Sequence, residues 1–310
     1  MNKHIICITP LRHLSKSFSL LKKKGKITYD PNITKSLLKK KLQKDKSINC
    51  IFCNPNMQNF ILDYDLLNNT GIKIINTAST GTHHIDLDVC KKLGIKVYSL
   101  KNDKKLIYNL PSTSELAFCL MISLLKKLVT SFDSVKKYEW QYLNFIGQEL
   151  ASLKVGIIGF GRLGKFMAKY CNAFGMEVFI YDKYKKSKKY KSLSINSMFT
   201  KCDVISLHVH LNSETKNLIN LNLMKKAKNN LIIINTSRGD IINEKDLLIA
   251  LKKKHISGYG ADVLSDELKD IHKSQIIKNI NKHNIIITPH IGGMTAQGQK
   301  KAYEWAINKF

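Results

Sequence analysis

A glycine-rich segment in the middle of the chain has the residue types and spacing needed to bind a dinucleotide. The apolar run Val155 to Ile158 leads into Gly159-Phe160-Gly161-Arg162-Leu163-Gly164, and a helical pattern follows to Phe174. In such a strand, turn and helix, the first glycine permits a tight turn and the second lets a pyrophosphate approach the backbone. The third lets the helix pack on the strand, and the unpaired N–H groups at the start of the helix face the phosphates. The predicted dinucleotide contacts are Gly159, Gly161, Arg162, Leu163 and Gly164.

The residue after the next predicted strand favours NAD over NADP. Val178 to Tyr181 is another buried-strand run, and it ends at Asp182. At this spacing a carboxylate accepts hydrogen bonds from the adenosine ribose and repels a 2′-phosphate. The lysines at positions 183, 185 and 186 weaken this preference without reversing it.

Further charged residues follow other predicted strands of the same half. Arg238 comes just after Leu231 to Asn235 and is one of few arginines in a chain dominated by lysine, while Glu267 and His290 follow two later strands. Ligands of open α/β sheets bind at the carboxyl ends of the strands, so these side chains are expected at one edge. The same strand ends also carry Thr236, Ser237, Asp262 and Gly292.

The elements that must position these residues form two series. Short apolar runs alternate with helix-length amphipathic stretches, which is typical of parallel α/β folds. In the first series the pairs are His4 to Ile8 with Leu11 to Lys24, Ile48 to Phe52 with Gln58 to Asn68, and Ile72 to Asn76 with Asp86 to Leu93. Pro111 opens a long helix to about Thr130. The second series has strands at Lys154 to Ile158, Glu177 to Tyr181, Asp203 to His208, Leu231 to Asn235, Ser257 to Asp262 and Ile285 to Thr288, and then a helix from Thr295 to Phe310.

The composition argues against a specific nucleic-acid partner. The net charge is +28, but arginine occurs only at positions 12, 162 and 238. Reading of base edges favours arginine, whose planar guanidinium makes bidentate bonds that lysine cannot make. A positive field that steers anionic substrates and cofactors is the interpretation that we favour.

The remaining counts favour a cytoplasmic protein with no membrane segment. The longest apolar runs fall far short of the roughly 20 residues that cross a bilayer. The chain has seven cysteines and no signal-peptide pattern, which fits reduced thiols. Cys50 and Cys53 form a CxxC motif, but without a second pair they are expected to pack in the core.

Together these motifs resemble the D-isomer-specific 2-hydroxyacid dehydrogenase family, in particular its phosphoglycerate dehydrogenase-like members. The resemblance is close from Trp140 through Gly293 and extends to a loop of the first third. Its most specific pieces are Gly156 to Gly164, Asn235 to Gly239, Asp262-Val263 with Glu267, Thr288 to Gly293, and Ser79-Thr80-Gly81 with His83 to Asp86. It implies an NAD-dependent oxidoreductase that interconverts a small D-2-hydroxy acid and its 2-oxo acid by hydride transfer.

The resemblance also implies roles for single residues. Arg238 would bind the substrate carboxylate and polarise its carbonyl, which a guanidinium does more rigidly than an ammonium. His290 would transfer the proton, and Glu267 would pair with it and favour the imidazolium. Asp262 would engage the nicotinamide carboxamide. The cofactor would also be contacted by Thr236, Ser237, His208, His290 and Gly292. The substrate carboxylate would be bound by the backbone N–H groups near Ser79, Thr80 and Gly81.

The partner of His290 is open at this stage. The run from Ser265 to Leu268 lacks the proline that the family commonly has there, so either Asp266 or Glu267 takes the role. His208 and His210 also stand where the family often has proline. We assign no catalytic role to these two histidines.

His83 and His84 precede two aspartates, Asp86 and Asp88. A loop before a helix is favoured over a metal site, because adjacent residues do not form a tetrahedral ligand set. No metal is therefore expected.

The expected architecture is α/β with two domains. A Rossmann NAD-binding domain with a doubly wound parallel sheet, residues 108–290, is inserted in a flavodoxin-like substrate domain, residues 1–107, completed by the C-terminal helix, residues 291–310. Substrate and nicotinamide would meet in the cleft, and closure would exclude water. The resemblance implies that the helix after Pro111 supports a homodimer. The alternative function is a catalytically silent NAD(H)-binding sensor or scaffold of the same fold.

Overall fold

The computed structural model describes residues 3–54, 60–265, 267 and 270–310. The chain divides into two compact units, of which the first comprises Met1–Leu110 with Met294–Phe310 and the second Pro111–Gly293. The sequence predicts the corresponding ends at 107 and 290, three residues earlier in each case.

The first unit is a parallel sheet with helices. Its strands are paired in the order β2-β1-β3-β4-β5, which is the flavodoxin-like order and confirms the expected class. The central strands β1 and β3 are buried throughout, as expected where both faces of a sheet are covered. The elements are β1 (His4–Cys7), α1 (Ser15–Lys22), β2 (Lys26–Tyr29), α2 (Lys35–Lys44), β3 (Cys50–Cys53), α3 (Tyr64–Leu67), β4 (Ile74–Thr77), α4 (Leu87–Lys92), β5 (Lys96–Ser99), α5 (Lys104–Ile107) and, from the end of the chain, α13 (Ala296–Ile307).

Sequence patterning missed several elements of this unit, among them β2, α2 and α5, and misplaced α3. Helix α2 was not predicted because it is rich in lysine and buries only Leu38 and Leu42. Strand β2 was not predicted either. The predicted helix from Gln58 to Asn68 is wrong among the described residues: α3 is one turn that begins after Asp63, whose carboxylate accepts the Leu66 N–H. Residues 55–59 lie outside the described part of the chain.

Two features of this unit correspond to predictions from the sequence. The last helix, α13, contacts α1 and β4, and its Tyr303 and Ala306 are buried. Cys50 and Cys53 are free and buried in β3, where burial raises the pKa of both thiols.

The second unit contains a seven-stranded parallel sheet in the order β12-β11-β10-β9-β6-β7-β8. Counted from β6, this is the Rossmann order 3-2-1-4-5-6 with a seventh strand added at one edge, which confirms the predicted doubly wound sheet. The elements are α6 (Ser112–Leu125), α7 (Leu128–Val135), β6 (Lys154–Ile158), α8 (Arg162–Ala173), β7 (Glu177–Tyr181), β8 (Lys191–Ser192), α9 (Ile195–Lys201), β9 (Val204–Leu207), α10 (Leu221–Met224), β10 (Ile232–Asn235), α11 (Glu244–Lys252), β11 (Gly258–Ala261), α12 (Gln275–Lys278) and β12 (Ile285–Ile287).

Alternation along the strands divides the core of this unit between the two faces of its sheet. In β10, Ile232 and Ile234 belong to the cluster that includes α6 and α8, while Ile233 belongs to the cluster on the other face. Such strands are apolar at successive positions because helices cover both sides. The strand ends are therefore the places where polar side chains can gather.

The long helix predicted from Pro111 to Thr130 is wrong, because two helices stand in its place. Lys127 has a left-handed conformation with φ of 50°, and its N–H bonds the Leu124 carbonyl, which ends α6. The Thr130 hydroxyl then bonds the Lys127 carbonyl at the start of α7. The longest described helix, α6, has 14 residues, and no helix among the described residues is long and apolar enough to cross a membrane.

Candidate active site

The turn between β6 and α8 depends on glycine at two of its positions. Gly159 has φ of 96°, and a Cβ there would lie 2.5 Å from the His208 carbonyl oxygen. A Cβ at Gly164 would lie 2.0 Å from the Gly159 carbonyl oxygen, so α8 packs directly on the turn. At Gly161, in contrast, a Cβ would meet no atom within 4 Å. The turn thus leaves open space at its middle glycine, in front of the first N–H groups of a twelve-residue helix.

Asp182 is bound to the same turn. Its Oδ2 accepts the Phe160 N–H at 2.7 Å, and its Oδ1 accepts the N–H groups of Tyr184 and Lys185 at 2.9 and 3.0 Å. A carboxylate has about four acceptor sites, so room for one further donor is left. The half-buried Asp182 therefore builds the turn and can also receive a ribose hydroxyl.

Two further polar atoms lie at this edge. His208 Nδ1 and Thr236 Oγ1 are buried, and neither has a hydrogen-bond partner among the described residues. They follow β9 and β10, which are neighbours in the sheet, and β9 is in turn paired with β6. His208 Nε2 bonds Ser206 Oγ at 2.9 Å, and burial lowers the pKa of His208 to about 4, so its ring is neutral near pH 7. Unpartnered polar atoms beside the open space at the glycine turn fit a bound dinucleotide.

The loop after β10 holds Arg238 in a defined place. The Asn235 side chain bonds both the Arg238 carbonyl and the Ser237 N–H, at 2.9 and 3.0 Å. Arg238 is half-buried, and its Nη1 donates to the Ser237 carbonyl at 2.6 Å. A Cβ at Gly239 would lie 2.1 Å from Leu264 and Ser265 backbone atoms, so this loop touches the loop after β11.

Glu267 and His290 form a pair beside this arginine. Glu267 Oε1 and His290 Nδ1 are 2.8 Å apart, and Glu267 Oε2 accepts the Leu264 N–H at 3.1 Å. Burial alone would raise the pKa of Glu267, but the His290 hydrogen bond and charge, the Leu264 N–H and the Arg238 charge hold that pKa below its usual value. The structure thus brings Arg238, Glu267 and His290 together, while Asp266 lies outside the described residues.

Asp262 shapes the turn that carries His290. Its buried carboxylate accepts the Thr288 hydroxyl at 2.6 Å and the N–H groups of Ile291 and Gly292 at 2.8 and 2.7 Å. Burial raises the pKa of Asp262 in spite of these bonds. From the sequence, Asp262 was assigned to the cofactor, and its role in holding the His290 turn was missed. The threonine at the end of the next strand, Thr288, was the one feature that could have indicated this role.

Sequence reasoning also missed Glu244, at the start of α11. Its Oε1 accepts the Ser265 N–H at 2.8 Å and so fixes the loop that carries Glu267. An acidic residue in the first turn of a helix gives no hint of such a contact, because it is common there for electrostatic reasons.

The candidate substrate loop belongs to the first unit. Ser79 is half-buried and Thr80 exposed, and Ser79 Oγ accepts the Gly81 N–H at 3.1 Å. Close by, the buried His84 bonds Thr77 Oγ1 at 2.9 Å, and burial followed by the charge of His83 lowers the pKa of His84 to about 3. Among the described residues no group of three or more potential ligands could hold a metal ion.

Comparison with known proteins gives a consistent result. The family model of the D-isomer specific 2-hydroxyacid dehydrogenase, NAD binding domain, matches residues 118–292. The chain is 35% identical over 227 residues to glycerate dehydrogenase of Methylorubrum extorquens, an alignment that covers 71% of this chain and 69% of that protein. It is 33% identical over 241 residues to D-3-phosphoglycerate dehydrogenase of Bacillus subtilis, covering 76% of this chain but only 44% of that longer protein.

A solved structure extends the likeness to nearly the whole chain. D-lactate dehydrogenase from Aquifex aeolicus, complexed with NAD and lactic acid, is similar with a TM-score of 0.77 and 28% identity, over 99% of this chain and 94% of that one. The family model covers more than half of the chain, and it lies within the unit with the Rossmann sheet and the glycine turn. The chain therefore belongs to the D-isomer specific 2-hydroxyacid dehydrogenase family and carries that family's NAD-binding domain.

Proposed function

We propose that this chain is an NAD-dependent oxidoreductase that interconverts a small D-2-hydroxy acid and its 2-oxo acid by hydride transfer. The observation that carries the proposal is the 2.8 Å contact between Glu267 Oε1 and His290 Nδ1, with the Arg238 charge acting on the same carboxylate. A paired imidazole and a fixed guanidinium are the groups that proton transfer and carboxylate binding require. The names of the glycerate, phosphoglycerate and lactate dehydrogenases that it resembles support this reaction class.

His290 is the proton-transfer residue in this proposal. Its Nδ1 is bonded to Glu267, so Nε2 is the nitrogen that faces the substrate oxygen. In the reducing direction Nε2 gives its proton to the carbonyl oxygen, and in the oxidising direction it takes the hydroxyl proton. Glu267 orients the ring and stabilises the imidazolium. The His290 side chain is 43% exposed, so a small molecule can reach it.

Arg238 binds the substrate carboxylate in this proposal. The bond from Nη1 to the Ser237 carbonyl uses one of its five N–H groups and orients the guanidinium, and a carboxylate would accept from the others. We assign the loop of Ser79, Thr80 and Gly81 to substrate binding as well.

The cofactor would be held by the strand ends of the second unit. Bound NAD supplies the hydride acceptor or donor for the substrate carbon. In the proposal the glycine turn, with Arg162 and Leu163, binds the pyrophosphate, and Asp182 binds the ribose. The nicotinamide half of the cofactor would be surrounded by six residues: His208, Thr236, Ser237, Asp262, His290 and Gly292.

We further propose a cytoplasmic homodimer. Helix α7 and the residues that follow it, from 128 to 146, expose many large apolar side chains, and a patch of this kind usually marks an interface. We call these residues the apolar segment. The members more than half exposed are Leu128, Phe132, Tyr138, Trp140, Tyr142, Leu143 and Ile146.

A screen of NADH oxidation with small 2-oxo acids, followed at 340 nm, tests the reaction. The wild-type protein should oxidise NADH with at least one of these acids. His290→Gln should lower kcat by about 10² to 10⁴, the usual contribution of acid–base catalysis. His272→Gln, at an exposed histidine outside the site, is the matched control and should keep full activity. Tight NADH binding without turnover of any acid would replace the proposal with the silent sensor or scaffold.

A further inference from the structure

Lys183, the residue directly after Asp182, is held by a carboxylate from another loop. Its Nζ donates to both carboxylate oxygens of Glu214, at 2.7 and 2.9 Å. Glu214 lies in the segment after β9, 31 residues further along the chain. The hydrogen bond to Glu214 raises the pKa of Lys183, so the lysine is charged when it makes this contact.

The turn around Glu214 fixes the position of its backbone. Asn212 Oδ1 accepts the N–H groups of Glu214 and Thr215 at 2.9 and 3.0 Å, and Thr215 Oγ1 accepts the Asn212 N–H at 2.9 Å. The Thr215 hydroxyl also donates to the His210 carbonyl at 2.6 Å. The Glu214 carboxylate is therefore placed by a bonded turn, although the Lys183 and Glu214 side chains are both more than half exposed.

A lysine at this position has a second possible use. In Rossmann domains the acidic residue after the second strand bonds the ribose 2′-hydroxyl of NAD, and a nearby arginine accommodates the 2′-phosphate of NADP. An ammonium also binds phosphate, as a point charge. Lys183 is adjacent in sequence to Asp182, the candidate ribose-binding residue. The ammonium group of Lys183 is already paired with the Glu214 carboxylate.

We infer that Glu214 is a specificity-determining residue: it keeps Lys183 from the 2′-phosphate and so makes the chain discriminate against NADP. The inference rests on the proposed dinucleotide site and assigns part of its selectivity to a residue outside the glycine motif. The exposed Lys185 and Lys186 remain on the same loop, so the inference requires that they do not replace Lys183 in this role.

Calorimetric titration with two fragments, ADP-ribose and 2′-phospho-ADP-ribose, tests this without any hydride transfer. Glu214→Gln should tighten the Kd of 2′-phospho-ADP-ribose by about threefold to fivefold, the size of one exposed ion pair. The Kd of ADP-ribose should change by less than about twofold, and the gain should shrink with added salt. Glu177→Gln is the matched control. It removes a carboxylate paired with Lys154 at the opposite end of β7 and changes the net charge equally.

A double-mutant cycle separates the two ways in which Glu214 could act. With Lys183→Ala already present, Glu214→Gln should no longer tighten 2′-phospho-ADP-ribose. A gain that persists in this background would mean simple repulsion by Glu214 and would overturn the inference, as would equal gains in Glu177→Gln and Glu214→Gln. If the wild-type protein binds neither fragment, the dinucleotide proposal itself fails. If it binds ADP-ribose and Glu214→Gln has no effect, only the inference fails.

Discussion

The buried carboxylate of Asp262 holds the turn in which His290 lies. It accepts the N–H groups of the two residues that follow His290, at 2.8 and 2.7 Å. His290 itself has φ of 55°, a left-handed conformation that costs a residue other than glycine about 1 to 3 kcal/mol. The Asp262 bonds offset this cost, and in doing so they set the direction of the imidazole.

Asp262→Asn should therefore reduce catalysis. The asparagine NH₂ group would face one of the N–H groups that now donate to the carboxylate, and the His290 turn would lose a bond. We expect kcat/KM to fall by about 10- to 100-fold, since one unsatisfied buried group costs about 1 to 3 kcal/mol. Asp246→Asn, where the carboxylate accepts the Leu221 N–H at 3.0 Å, should lower Tm but leave kcat/KM unchanged. Wild-type kcat/KM in Asp262→Asn would contradict the positioning role.

Arg238→Lys should weaken substrate binding although the charge is kept. An ammonium cannot form the two parallel hydrogen bonds of a guanidinium, so KM for the 2-oxo acid should rise by about 10- to 100-fold. Steady-state kinetics at saturating NADH measure this effect. Arg12→Lys provides the control, because Arg12 is exposed and its guanidinium lies over the Tyr29 ring, 4.7 Å from the centroid. A change of similar size in both variants would refute the assignment.

Alanine at two glycines should separate cofactor binding from folding. Gly161→Ala places a methyl group in open space, so Tm should stay within a few degrees of wild type while the Kd for NADH rises at least about tenfold. Gly164→Ala forces a Cβ to 2.0 Å from a backbone oxygen and should lower Tm strongly. NADH fluorescence titration and thermal unfolding give both readouts. The turn does not bind the dinucleotide if Gly161→Ala keeps wild-type NADH affinity.

Glu267 should stabilise the fold in a pH-dependent way. Its folded-state pKa lies below the ordinary value of 4.5, so its contribution is present above that value and is lost as the pH falls through the lower folded pKa. Glu267→Gln should thus have a lower Tm than wild type near pH 7, and the difference should shrink below about pH 4. Melting curves across this range test the sign. A Tm difference that grows towards acid would show the pKa shift to be in the opposite direction.

The apolar segment should control oligomeric state. Phe132→Glu together with Leu143→Glu places charges in a face that a second copy would cover, and sedimentation should shift from dimer to monomer. Leu37→Glu, at a residue of α2 that is 56% exposed in the first unit, is the control and should leave the dimer intact. A wild-type protein that sediments as a monomer would disprove the homodimer.

The parts of the fold that the sequence predicted are those with local signals. The strands at 154–158 and 177–181 have the predicted bounds, because apolar runs there end at a glycine turn and at Asp182. The break between α6 and α7 at Lys127 could not be predicted, because no glycine or proline marks it. Helix α2 was hidden by its lysines, since two buried leucines do not make a clear amphipathic pattern.

The site was predictable as a set of strand ends but not as a network. Arg238, Glu267 and His290 could be named because parallel strands end at one edge. The contacts of Asp262 with Gly292 and of Lys183 with Glu214 join residues 30 and 31 positions apart, through side chains whose directions depend on the folded loops. No pattern of residue types contains that information.

The three backbone bonds of Asp182 limit how this chain can be redesigned. Replacing Asp182 so that NADP can bind would also remove the hydrogen-bond acceptor of the Phe160, Tyr184 and Lys185 N–H groups. The loop that has to bind the new cofactor would therefore be destabilised. Substitutions of the charged residues around Asp182 would change the cofactor preference while keeping these three hydrogen bonds.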